Sequence, residues 1–132
     1  MKTSSAKAKG RQFQQDVRDL ILHHFPEMEP DDCKSTGMGQ SGEDVQLSPY
    51  ARKLFSYSIE CKRQEKLSIP VWWKQTIANL KENTNPVLIF RQSRQSALVV
   101  ITLQHFMELT RENYEFKQKL GKSELDTTTE TL

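Results

Sequence analysis

The chain contains the run Ile59-Glu60-Cys61-Lys62, in which a carboxylate and an ammonium stand two residues apart. On a β-strand, side chains alternate between faces, so Glu60 and Lys62 share one face and Ile59 and Cys61 the other. A further carboxylate, Asp44, lies upstream in Ser41-Gly42-Glu43-Asp44-Val45. Two carboxylates and a lysine at a strand end are a set able to hold a divalent cation and a water against a phosphate. Glu43 is the alternative to Asp44. On a strand that begins here it points to the opposite face, which favours Asp44. The rival readings are an ordinary surface ion pair for Glu60 and Lys62, and a turn role for Asp44 after Gly42.

These residues need elements to position them. Phe13, Val17, Leu20 and Ile21 recur at helical spacing, which predicts a helix over 6–24. Gln14 falls about 100° around that helix from Phe13, at the border of the apolar stripe, while Gln15 turns to solvent. Pro26 and Pro30 end the helix. Short strands are expected at 33–36 and 44–47, separated by a glycine-rich turn over 37–42. Ser48 is an N-cap and Pro49 a first helical residue for a short helix to Leu54. A strand over 55–62 carries the Glu-x-Lys. A helix over 68–80 follows, with Trp73, Ile77 and Leu80 as its apolar stripe, leaving Trp72 to face a partner. Two β-prone runs, 87–91 and 97–103, read as a hairpin. A helix over 104–120 closes the chain, with Gly121 as its cap. The order predicts an α/β (α+β) fold, a central mixed sheet of four to five strands flanked by helices.

The length of 132 residues suits one domain, placed at 1–121, with a polar, disordered tail at 122–132. The total charge is +2, and because the tail carries −2, residues 1–121 carry +4. That excess is compatible with a polyanionic partner but is a weak signal. Lys9, Arg11, Lys53, Arg63 and Lys66 are candidate phosphate contacts, and Gln75, projecting away from its helix's apolar stripe, is a further candidate DNA contact. Ordinary solvated surface explains any one of them equally well. Cys33 and Cys61 are the only cysteines, with no spacing that suggests zinc. Cys61 reads as a buried, apolar-like residue rather than a nucleophile. No run approaches the ~20 apolar residues of a membrane helix, and no secretory core is present, so a cytosolic protein with reduced thiols and no membrane partner is expected.

The arrangement Gly42-x-Asp44…Glu60-x-Lys62 resembles the PD-(D/E)XK nuclease signature, with Glu43 where proline is usual. The element order resembles the restriction-endonuclease-like core of that superfamily. Lys9-Gly10-Arg11, Gly42-Glu43-Asp44-Val45, Glu60-Cys61-Lys62 and the later Trp73 and Gln75 are similar to segments of small phage-type endonucleases and Holliday-junction resolvases. The likeness covers roughly residues 7–110.

The resemblance implies a metal-dependent endodeoxyribonuclease, selective for DNA structure, in a phage or bacterial host cytosol. It implies Mg²⁺, with Mn²⁺ as substitute, held by Asp44, Glu60 and the main-chain carbonyl of Cys61, with one or two ions left open. It implies Lys62 acting on the attacking water or on phosphate charge, no small-molecule cofactor, DNA (branched in particular) as substrate, and a homodimer. Relatives often carry a metal-linked Glu where Gln14 stands here. A neutral amide there can orient a metal-bound water but adds no charge. The alternatives are a catalytically weak or inactive DNA-binding protein on the same fold, or an unrelated interaction module.

Overall fold

The computed structural model describes residues 2–36 and 42–131, with side chains over 5–36 and 42–122. Apart from Gly42, the glycine-rich turn expected at 37–42 lies outside the described residues. The chain divides into a unit over 1–100, which holds every strand of the described residues, and a unit over 101–132.

Helix α1 (Lys2–His24) buries Phe13, Val17 and Ile21, as the stripe predicts, but leaves Leu20 58% exposed. Its last turn closes with the Phe25 N–H donating to the Ile21 carbonyl at 2.9 Å. A single 3₁₀ turn over Pro30–Asp32 then leads into β1 (Cys33–Ser35), which pairs antiparallel with β2 (Val45–Leu47). Helix α2 (Pro49–Leu54) starts where Ser48 and Pro49 predict. Ser48 Oγ accepts from the Ala51 N–H at 3.1 Å and donates to Asp32 Oδ1 at 2.7 Å, so one cap also fastens the 3₁₀ turn.

Strand β3 (Tyr57–Arg63) runs parallel to β4 (Asn85–Arg91), and the connection is helix α3 (Ile69–Ala78), as a parallel pair requires. Strand β5 (Leu98–Val100) completes the expected hairpin, antiparallel to β4. The mixed α/β class and the five strands among the described residues agree with expectation, but the strands form two sheets, β1–β2 and β3–β4–β5. Asp44 bridges them: its N–H donates to the Ile59 carbonyl at 2.9 Å, and its carbonyl accepts from the Thr36 N–H at 2.8 Å.

Both faces of β3 are covered. Ile59 and Cys61 join Phe13, Val17, Val45 and Leu47 in one core. On the other side Trp72 packs with Leu88 and Phe90, its ring centroid 5.8 Å from that of Phe90. This corrects the expected stripe of α3. Trp72 (3% exposed) and Thr76 (2%) face the sheet, while Ile77 and Leu80 are largely exposed and Trp73 is half-buried. Thr76 can sit inside because its hydroxyl donates to the Trp72 carbonyl at 2.9 Å.

In the second unit, helix α4 (Leu103–Thr131) passes through Gly121, where a cap was expected. Helical backbone thus includes residues 122–131, assigned from composition to a polar tail. Arg111 pairs with Glu115 at 2.9 Å on this helix, the i,i+4 spacing that exposed helices favour.

Candidate active site

The central part of β3 positions the chemistry. Glu60 and Lys62 share a face, as the alternation requires, with Lys62 Nζ 3.4 Å from Glu60 Oε2. The other oxygen, Oε1, accepts from Asn79 Nδ2 at 3.4 Å. Asn79 is the residue that ends α3, so the helix delivers its amide to the strand. Both partners of Glu60 are long contacts, and its side chain is almost wholly buried.

Asp44 arrives from the other direction. Its Oδ2 accepts from the Cys61 N–H at 2.6 Å, a strong charge-assisted geometry. The Ile59 carbonyl and the Cys61 N–H both meet Asp44, so the odd-numbered residues of β3 turn their backbone polar groups away from β4. Within a strand residue, N–H and C=O point to the same side. The Cys61 carbonyl therefore opens toward Asp44 as well.

The electrostatics are unbalanced. Burial pushes the Asp44 carboxyl up to about 6, the Cys61 N–H pulls it down, neighbouring Glu60 raises it further, and Lys62 lowers it. Two carboxylates share one ammonium in a place poorly reached by water. Glu43 takes no part in this. It is buried (3% exposed) and forms a two-pronged ion pair with Arg52, whose Nη1 donates to Oε2 at 3.3 Å and whose Nη2 donates to Oε1. The two adjacent side chains diverge: Asp44 reaches the Cys61 N–H beside Glu60, and Glu43 reaches Arg52. Burial also raises the Cys61 thiol far above its ordinary range, and burial pushes Cys33 up to about 11, so neither is a thiolate nucleophile.

Two side-chain carboxylates and a main-chain carbonyl are hard oxygen donors, and one excess negative charge is what a divalent cation would balance. No group of three or more His, Cys, Asp or Glu able to hold a metal occurs among the described residues. Mg²⁺ tolerates so small a set because it retains several waters.

Gln14 stands on the buried side of α1, 7% exposed, and its Oε1 has no hydrogen-bond partner. No hydrogen bond among the described residues joins it to Asp44 or Glu60. Lys9, Arg11, Lys53, Lys66 and Gln75 are exposed. Arg63 is engaged locally, with Nη1 2.6 Å from Glu65 Oε2 and Nη2 donating to Ser93 Oγ at 3.1 Å. Asn79 is the site residue that the sequence did not single out. The only available signal was an amide at the end of a helix that follows the Glu-x-Lys strand.

No helix among the described residues is long and apolar enough to cross a membrane. Comparison with curated proteins and with solved structures finds no match. A family model described as "Phage putative PDDEXK endonuclease" matches residues 5–131, spanning both units and every residue of the Asp44–Glu60–Lys62 cluster. The chain belongs to this phage PD-(D/E)XK endonuclease family.

Proposed function

We propose that the protein is a Mg²⁺-dependent endodeoxyribonuclease selective for branched DNA, in the manner of Holliday-junction resolvases. The observation that carries this reading is the meeting of Asp44 with the Glu60–Lys62 pair across 17 residues of sequence, sealed by the Cys61 N–H. Asp44, Glu60 and the Cys61 carbonyl would hold the cation, which when bound would lower the pKa of a water and offset charge on the phosphate. Lys62 keeps its ammonium directed at the non-bridging oxygens of the scissile phosphate and orients the attacking water. Asn79 holds Glu60 so that its second oxygen remains directed inward. Gln14 would offer its buried, unpartnered oxygen to the attacking water, in place of the carboxylate common in relatives.

A domain of this size gains footprint by pairing, so two copies cutting two strands form the working unit in the host cytosol. Lys9, Arg11, Lys53, Lys66 and Gln75 supply contacts that position the duplex without reading sequence, with Arg63 joining them if it releases Glu65. Purified protein is tested against linear, branched and single-stranded DNA, with Mg²⁺, with Mn²⁺ and with chelator. Metal-dependent cutting that favours branched DNA is the expected result, and light scattering on DNA is expected to give the mass of two chains. A second reading, an inactive DNA-binding protein, draws on the neutral Gln14 in the place of a carboxylate. Binding of branched DNA without cutting under any divalent cation would establish it.

A further inference from the structure

Beside the carboxylates lies a small polar pocket of about 270 Å³, lined by Gly42, Glu43, Gln46, Leu47, Arg52 and Lys81. Its charge is set by two bases and one acid. The Glu43 carboxylate is already neutralised by Arg52, which spends two of its five N–H donors there and keeps three. Lys81 is exposed and makes no ion pair among the described residues. The pocket thus presents one uncompensated positive charge and spare guanidinium donors.

Its position is fixed to the chemistry. The Lys81 N–H donates to the buried Ser58 hydroxyl at 2.9 Å, and Ser58 Oγ lies 2.7 Å from Thr84 Oγ1. Thr84 Oγ1 in turn donates to the Lys81 carbonyl at 2.7 Å. Asn83, at φ 60, makes the tight turn that permits this closure. Two of these bonds therefore fasten the α3–β4 turn to β3 at Ser58, and the third closes the turn on itself. Ser58, Glu60 and Lys62 share one strand face, with successive members about 7 Å apart along the strand. Lys81 stands at the Ser58 end of that row, and Asn79, two residues earlier, reaches Glu60. Across the pocket, Gly42 and Glu43 lead directly into Asp44.

We propose that this pocket is a subsite for a phosphodiester of the DNA strand, next to the one being cut, with Lys81 as its principal cation and Arg52 as a secondary donor. The proposal rests on the nuclease reading and adds to it a contact for the phosphodiester beside the scissile one, at the Ser58 end of β3. Lys81 is a binding residue, and its substitution leaves the metal ligands intact.

The test compares wild type, Lys81→Ala and Lys81→Arg for binding to branched and linear duplex DNA over a series of salt concentrations, in Ca²⁺ to hold off cutting. Lys81→Ala is expected to bind several-fold more weakly, with a slope of log K against log salt shallower by about one. Lys81→Arg is expected to restore both, and calorimetric Ca²⁺ binding is expected to be equal in all three. Wild-type binding and cutting with a Lys81→Ala variant of unchanged affinity and slope would overturn the subsite alone. Wild-type protein that neither binds nor cuts DNA would overturn the subsite and the nuclease reading together. Arg52 is unsuited to the test, because its removal leaves Glu43 buried and unpaired.

Discussion

Strand β3 carries two pairings of glutamate with a base, Glu60 with Lys62 and, at its far end, Arg63 with Glu65. Their composition is nearly the same and their circumstances are opposite. Glu65 is exposed and saturated with donors: Arg63 at 2.6 Å, the Ser93 N–H at 3.0 Å and the Ser93 hydroxyl at 2.9 Å. These hydrogen bonds, Arg63 first, hold its carboxyl down at about 2. The Gln92 amide adds a bond to the Glu65 carbonyl at 2.6 Å, so the cluster fastens the β4–β5 loop to the end of β3. Glu60 is buried, its two side-chain partners are both at 3.4 Å, and its neighbour Asp44 is pushed up to about 6. A complete network has no need of a ligand. An incomplete one in a buried place, short of positive charge, is where a functional reading has physical grounds.

The sharpest test of that contrast removes its acidic members. Asp44→Asn and Glu60→Gln are expected to lower single-turnover cleavage by on the order of 10³-fold, and Lys62→Ala by on the order of 10²-fold, with the folded spectrum retained. Full activity in Lys62→Ala would remove that lysine from the mechanism.

A second test reads the imbalance directly in metal-free protein. The folded state keeps a proton on Asp44 up to about pH 6, whereas the unfolded chain releases it near 3.8. Stability should therefore fall as pH rises across that window, by roughly 3 kcal/mol at about 1.4 kcal/mol per unit, with the loss complete above pH 6. Urea melts from pH 4 to 7 in chelator measure this, and Asp44→Asn should lack the trend. The same trend in both proteins would assign it to another group.

The smallest effect is expected at the saturated cluster. Glu65→Gln should lower the melting temperature by a few degrees at most and leave the cleavage rate unchanged, since exposed pairs contribute little. The Glu65 contribution is present above its ordinary 4.5 and lost as pH falls toward about 2, so wild type and variant should converge in acid. A collapse of cleavage in Glu65→Gln would abolish the distinction between the two clusters.

What could be read from sequence follows from what is periodic or local. The alternation over Ile59–Lys62 fixed which side chains share a face, and Ser48-Pro49 fixed the start of α2, because both depend on neighbours in the chain. The inward face of α3 was misjudged for a chemical reason. Adjacent tryptophans open two competing stripes, and Thr76 hides its polarity in a bond to the Trp72 carbonyl, so hydropathy favours Trp73, Ile77 and Leu80. Leu20 fits the stripe of α1 and is nonetheless exposed, because periodicity marks an apolar face without saying what will pack on it. The division into two sheets, the Asn79–Glu60 contact and the pocket at Lys81 join residues distant in sequence, and no local pattern encodes them.

Asp44 is bonded on three sides: its N–H to β3, its carbonyl to Thr36 after β1, and its carboxylate to the Cys61 N–H. Docking of the two sheets and formation of the proposed donor set are therefore the same event. The donor set does not exist in a chain whose two sheets have formed but not met, so a cation that binds this set selects the finished protein over every partly docked one. At a hundred times its dissociation constant, such a cation would deepen the native basin by about 2.7 kcal/mol. The metal would then act as an inspector of folding before it acts on DNA, and a chain that closes wrongly would be unable to cut.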